Sequence, residues 1–159
     1  MECLTVPVKD GNSHKPVKEI EIDYSTPWVQ VHLRSIASAY GKSAYFEHFF
    51  DLLKRIYDKK SRYLVDLNLE LLTFCLKLIK MEGKIEFSTE FKVTNELAEG
   101  TNDMRSLIHP KKESLSPSYQ YTQVFGTEFV PNLSILDLLF CEGLQSGFLL
   151  SKGGALKRG

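Results

Sequence analysis

The side chains best suited to chemistry are concentrated in residues 28–46, WVQVHLRSIASAYGKSAYF. Six of them can stack, donate hydrogen bonds or carry charge: Trp28, His32, Arg34, Tyr40, Lys42 and Tyr45. Trp28 and His32 are four residues apart, so on a helix they lie one turn from each other, at the edge of the core-facing stripe. An imidazole titrates near neutral pH and is therefore a candidate base. This pair is typical of a pocket wall and equally of an ordinary core boundary, and spacing alone does not decide between them.

A second group of polar side chains falls in a long segment, residues 89–118, which we predict to be a loop. It contains the run DMRSLIHPKK, which supplies Asp103, Arg105, His109, Lys111 and Lys112. Loops of this length are uncommon in a compact domain unless they have a function. Arginine and lysine beside a histidine could close over a phosphate or a carboxylate. A loop that is merely solvated explains the same composition equally well.

Single polar residues stand out in three other places. Asn68 falls among leucines, so we expect a buried amide, which needs hydrogen-bond partners; a structural bond to a neighbouring loop is favoured over a ligand contact. Gln123 lies in an alternation of aromatic and polar residues, 119–125. Asp137 follows Ser134 by three residues, a spacing close to that of a capping box.

Four helices should position these residues. The first begins near Pro27, with Ser25 or Thr26 as its N-cap, and ends at Gly41. Hydrophobic periodicity predicts two more helices, over residues 44–59 with Ser43 as N-cap and over about 63–80. The third helix is apolar on most of its circumference, which predicts a central position. A final helix follows the N-cap Ser134 and ends at Gly143.

Short apolar stretches predict strands over residues 4–8, 17–22 and 84–87, the first two joined as a hairpin. The predicted fold class is therefore α+β. It is a helix-dominated single domain with three central helices, a C-terminal helix and a few short antiparallel strands. Residues 152–159 should form a frayed basic tail.

Composition narrows the class of protein. The 159 residues suffice for one domain with a real core, and 43% are hydrophobic and 25% charged, as in soluble globular proteins. Twenty basic and twenty acidic residues cancel, which argues against a nucleic-acid partner. No apolar run is long enough for a membrane span. Three scattered cysteines indicate reduced thiols in a cytoplasm. The four histidines show no metal-ligand spacing, and no Gly-rich phosphate loop is present.

Two blocks of sequence resemble a known family. They are W-x-x-x-H-L-R-S-I-x-x-A-Y-G-K-S-x-Y-F-E at residues 28–47 and F-V-P-N-L-S-I-L-D-L-L-F-C-E-G at residues 129–143. Together with D-x-R at 103–105 and I-H-P-K-K at 108–112, they resemble the WbqC-like family of bacterial proteins, over residues 4–147. The resemblance implies a bacterial cytoplasmic protein of surface-polysaccharide biosynthesis that transfers an amino-acyl (glycyl) group to an amino sugar. It also implies a further segment before residue 4, so we expect the single domain, 1–159, to be N-terminally truncated.

Acyl transfer to an amine needs a base and a set of donors for the developing oxyanion. On the resemblance, the catalytic candidates are His32 as base, Asn68 and Asp137. The residues expected to bind a nucleotide-linked amino sugar are Trp28, Tyr40, Lys42, Tyr45, Asp103, Arg105, His109, Lys111 and Gln123. Arg105, His109 and Lys111 would hold the phosphate, and the aromatic rings would stack on the sugar or base.

The alternative is a binding or accessory protein without turnover, because the sequence has no recognisable nucleophile. Convergence of Trp28, His32 and Arg105 on one concave site would favour an enzyme. A scattered arrangement of the three would favour an interaction module.

Overall fold

A computed structural model describes residues 3–11, 15–88, 90–93, 96, 98–105 and 120–152. Five α-helices lie within these ranges: α1 Trp28–Tyr40, α2 Phe46–Asp58, α3 Leu64–Leu78, α4 Ile135–Glu142 and α5 Ser146–Lys152. Short 3-10 turns occupy Val17–Glu19 and Gly143–Gln145. The first four helices lie where hydrophobic periodicity predicts them, and α5 continues the chain after the predicted stop at Gly143.

The prediction of an α+β fold with antiparallel strands is wrong. The described part of the chain contains no strand or sheet, only isolated antiparallel bridges between Val8 and Ile22 and between Glu21 and Tyr63. The predicted hairpin fails because Val17–Glu19 winds into a 3-10 turn after Pro16. Residues 84–87 are exposed and form no ladder of hydrogen bonds with any other described segment. An alternating pattern makes a strand only where a partner accepts its backbone bonds.

Three backbone stretches lie side by side instead of forming a sheet. The N–H of Lys9 donates to the carbonyl of Glu21 at 2.9 Å, and that of Ile22 donates to Arg62 at 2.9 Å. The N–H of Leu64 donates to the carbonyl of Ile20 at 2.9 Å. These bonds attach the N-terminal segment to the start of α3.

The helix ends differ partly from the sequence-based expectation. Neither Ser25 nor Thr26 caps α1, because Pro27 occupies the N-cap position and no side chain accepts a bond there. Ser43 does not cap α2 either: its hydroxyl donates to the carbonyl of Tyr40 at 2.7 Å and so closes the end of α1. Ser134 does cap α4, accepting the Leu136 N–H at 3.3 Å.

The core lies where α2, α3 and α4 pack against one another. Leu53 of α2, Leu67 of α3 and Phe140 of α4 are almost fully buried. The most enclosed helix is α4, whose residues 137–140 are all buried. By contrast, α3 exposes 47% of Leu72, so its apolar circumference is only partly covered. None of the helices in the described ranges has the length and apolarity needed to cross a membrane.

Candidate functional site

Asp137 is the one acidic side chain among the buried polar residues of the described chain, and its exposure is 0%. Because α4 begins at Ile135, position 137 turns toward the core with Leu138 and Leu139. Oδ2 of Asp137 accepts a short hydrogen bond from the Tyr121 hydroxyl and a second from Gln123 Nε2 at 2.9 Å. Oδ1 is buried without a hydrogen-bond partner among the described residues. One oxygen of this carboxylate therefore has hydrogen-bond partners, and the other has none among the described residues.

Gln123 is held in one orientation by the backbone of Val130. Its Oε1 accepts the Val130 N–H at 2.8 Å, and its Nε2 donates to the Val130 carbonyl at 2.9 Å. This pair of bonds fixes which end of the amide faces Asp137. It also ties residue 123 to residue 130, so that the segment 121–130 lies against α4.

The Tyr40 hydroxyl and the Cys141 thiol lie close enough to the carboxylate for its charge to act on both. Burial first, and then the charge of Asp137, raise the pKa of the Tyr40 hydroxyl to about 12 and that of the Cys141 thiol to about 11. Burial and the bond to Asp137 also raise the pKa of Tyr121. All three groups therefore stay protonated at neutral pH, as hydrogen-bond donors. We call the five residues Asp137, Tyr40, Tyr121, Gln123 and Cys141 the Asp137 cluster.

Trp28 and His32 form a separate, aromatic cluster in the core. They are 6% and 4% exposed, their ring centroids are 5.0 Å apart, and both rings pack on Tyr57. Trp28 Nε1 donates to the carbonyl of Asp23 at 3.0 Å, and His32 Nε2 lies 3.1 Å from the carbonyl of Thr5. Because a carbonyl only accepts, Nε2 carries a proton in this contact. Of the two sequence-based interpretations, this packing supports the core boundary.

Arg105 lies in the exposed segment near Phe91. Its guanidinium binds both oxygens of Asp103, at 2.8 and 2.6 Å, and the carbonyl of Lys92 at 2.8 Å. Its Cζ also lies 4.9 Å from the centroid of the Phe91 ring. None of these contacts is with Trp28 or His32. Convergence of Trp28, His32 and Arg105 was the criterion for an enzyme, and in the described part of the chain Arg105 contacts neither of the other two.

The remaining candidates that the structure describes lie apart from the Asp137 cluster in their contacts. Lys42 and Asn68 are exposed, so the expected burial of Asn68 is wrong. Tyr45 is half-buried, with its ring stacked on Phe49 at 6.1 Å between centroids. His109 and Lys111 lie outside the described residues.

The structure thus brings together three predicted residues, Tyr40, Gln123 and Asp137, that the sequence placed on separate elements. It adds Tyr121 and Cys141, which the sequence did not single out. The sequence spacing of Tyr121 and of Cys141 could have indicated that both face Asp137 and Gln123. Tyr121 and Gln123 are two apart, so in an extended segment they point to the same side, and Cys141 follows Asp137 by four residues on a helix.

Within the described ranges, no three histidine, cysteine, aspartate or glutamate side chains come together as a metal site. The cluster instead offers the Oδ1 oxygen of Asp137 and the hydroxyl of Tyr40, because the Tyr121 O–H and the Gln123 amide are already hydrogen-bonded. Such a set can bind a cationic or hydroxyl-rich small molecule.

Comparison with known proteins gives one match. No curated protein and no solved structure matches the chain significantly. The model of the WbqC-like protein family matches residues 1–109, which include α1, α2 and α3. Asp137, Tyr121 and Gln123 follow the matched range, whereas Tyr40 lies within it. With more than half of its length matched, the chain belongs to the WbqC-like protein family.

Proposed function

We propose that this chain transfers an amino-acyl (glycyl) group to the amine of an amino sugar in bacterial surface-polysaccharide biosynthesis, and that the sugar binds at the Asp137 cluster. The observation that carries the proposal is the buried carboxylate of Asp137, with one oxygen held by Tyr121 and Gln123 and the other without a partner. Buried polar atoms in folded proteins nearly always have a hydrogen-bond partner, so an exception calls for an explanation, and a functional role is one.

The cluster contains the groups that the reaction requires. The amine nitrogen attacks the carbonyl carbon of an activated glycyl ester or thioester, and the bond from that carbon to its oxygen or sulfur leaving group breaks. The proton that the amine loses passes to Asp137 Oδ1 and then to the leaving group. The protonated hydroxyl of Tyr40 is a donor of the type that stabilises a developing oxyanion, whereas the Tyr121 hydroxyl already donates to Asp137.

In this assignment Asp137, rather than His32, acts as the base. His32 is packed between Trp28 and Tyr57 and is bonded through Nε2 to the Thr5 carbonyl. An imidazole in that position supports the core, whereas Asp137 has an oxygen that accepts no bond among the described residues.

The test is a product assay by mass spectrometry. The chain is incubated with a uridine-diphosphate-linked amino sugar and the glycyl thioester of N-acetylcysteamine, and the mass gain of one glycyl group is followed. We expect product with the unmodified chain and a rate at least about 100-fold lower in Asp137→Asn, because the proton acceptor is lost. Asp51→Asn, which removes an exposed carboxylate on α2, is the matched control. Absence of product with the unmodified chain, or an unchanged rate in Asp137→Asn, contradicts the proposal.

A binding protein without turnover is the second candidate. The observation that favours it is the placement of Arg105, whose contacts are with Asp103, Lys92 and Phe91 rather than with the aromatic cluster. On this alternative, the amino sugar raises the melting temperature of the chain and no glycyl product forms.

A further inference from the structure

We propose that Asp137 Oδ1 recognises a protonated primary amine. The chain would then select ligands with a free amine over ligands in which that amine is acetylated or replaced by a hydroxyl. The choice of sugars as the ligands of this site rests on the proposed function. The selection for an amine rests on the geometry of the carboxylate alone.

The first step concerns the balance of hydrogen bonds on Asp137. Oδ2 accepts two, from Tyr121 and Gln123, whereas Oδ1 accepts none from the described residues. A buried acceptor without a donor destabilises the folded chain, and more so when the group is charged. A ligand that donates to Oδ1 recovers this free energy on binding.

The second step concerns charge. None of the salt bridges among the described residues includes Asp137, and the groups that bond to it or feel its charge include two phenols, an amide and a thiol. A buried carboxylate without a cation pays most of its desolvation cost. Neither phenol compensates the charge, because both remain neutral, with raised pKa values. A cation at Oδ1 would supply both the missing hydrogen bond and a charge of opposite sign, whereas a neutral donor would supply only the hydrogen bond.

The third step identifies the cation. A divalent metal would need several anionic ligands, and no such group exists in the described part of the chain. A primary ammonium needs only one carboxylate oxygen for its charge, and its remaining N–H groups can donate to phenol oxygens. Aromatic faces such as those of Tyr40 and Tyr121 also attract an ammonium. A sugar hydroxyl would satisfy the hydrogen bond but leave the charge uncompensated.

Access to Oδ1 requires movement, because Asp137 is completely buried. The segment 121–130 is attached to α4 through the two side chains that bind Oδ2. Displacement of this segment on binding should therefore be resisted by the Tyr121 hydroxyl. Removing the hydroxyl in Tyr121→Phe should therefore speed association of the ligand.

The test compares three sugars that differ at one substituent: glucosamine, N-acetylglucosamine and glucose. Thermal melting and calorimetric titration are made at about pH 6.5, where amines of this type are protonated. We expect glucosamine to raise the melting temperature and to bind at least about 10-fold more tightly than the other two. Asp137→Asn should abolish this preference, and Asp51→Asn should keep it.

Three results would overturn the inference: equal binding of the three sugars, no binding of any of them, or a preference for glucosamine that survives in Asp137→Asn. If Asp137→Asn does not fold, the comparison of the three sugars on the unmodified chain and on Asp51→Asn still decides, because equal binding there overturns the inference. The two proposals fail separately. A preference for the amine without glycyl product overturns only the proposed reaction, whereas product formation with equal binding of the three sugars overturns only amine recognition.

Discussion

Asp137 owes its position to the residue at which α4 begins. Ser134 caps the helix, so Asp137 falls in the first turn and its side chain faces the core instead of the solvent. The N-terminal end of a helix carries partial positive charge, which stabilises a carboxylate there. Helix register and helix dipole together explain how the fold tolerates this buried acid, and they leave one of its oxygens available.

Removal of the Asp137 carboxylate should show how far the fold depends on it. In Asp137→Ala, the Tyr121 hydroxyl and one N–H of Gln123 lose their acceptor, so we expect the free energy of unfolding to fall by about 2–3 kcal/mol. In Asp137→Asn, the amide oxygen can still accept both bonds, and the loss should be about 1 kcal/mol or less. Urea unfolding followed by circular dichroism measures both values. An alanine variant as stable as the unmodified chain would show that these bonds contribute nothing to folding.

The candidate residues were predictable one by one, but most of their groupings were not. Tyr40 and Asp137 come from α1 and α4, and Gln123 from an irregular segment. Nothing local in the sequence specifies that these three pack together. Trp28 and His32 are the exception, because a helix alone makes residues four apart neighbours. Whether that pair faced a pocket or the core depended on Tyr57 of α2, which the spacing within one helix does not report.

At the scale of elements, helices were predictable and strands were not. A helix makes its hydrogen bonds within itself, so the periodicity of 28–40, 46–58 and 64–78 is enough to locate it. A strand needs a partner elsewhere in the chain. The alternating residues 84–87 have none among the described residues, and Pro16 is followed by a turn. The sequence patterns of these stretches were genuine, but the tertiary context that would make them strands is absent in the described structure.

The caps allow a direct test of one helix boundary. Because the Ser134 hydroxyl accepts the Leu136 N–H, Ser134→Ala should lower the free energy of unfolding by about 1 kcal/mol. Thr26 was an equally good N-cap candidate in the sequence, yet Pro27 holds that position. Thr26→Ala is therefore the matched control and should change the stability by less than about 0.5 kcal/mol. Denaturant unfolding of the two variants checks both expectations, and equal losses would mean that the assigned caps are wrong.

At the scale of the whole molecule, tight packing of the last helix closes the fold around α4. Gly147 of α5 lies against the end of α3, where an added Cβ would stand 2.1 Å from the Ile79 carbonyl oxygen. Gly143, with φ +57°, lies directly beside the Tyr45 ring. These close approaches bring α5 against the end of α3 and the 3-10 turn before α5 against Tyr45, and Phe140 of α4 is fully buried. The Asp137 cluster is therefore part of the same packed region as the core, and its titration should be visible in global stability.

Alkaline pH should destabilise the molecule through the groups around Asp137. Folding raises the pKa of Cys141 to about 11 and that of Tyr40 to about 12. In the unfolded chain the two groups have their ordinary pKa values, about 8.5 for cysteine and about 10 for tyrosine, and release their protons at those pH values. The folded state thus holds more protons than the unfolded state between these limits, and stability must fall as the pH rises through them. Urea midpoints should be constant up to about pH 8 and should decrease from about pH 9 to pH 12.

Cys141→Ser should reduce the decrease below about pH 11, whereas the same change at the exposed Cys3 should not. Midpoints that stay level through this range, or a decrease that Cys141→Ser leaves unchanged, would show that the thiol does not titrate from the buried, negatively charged surroundings described here.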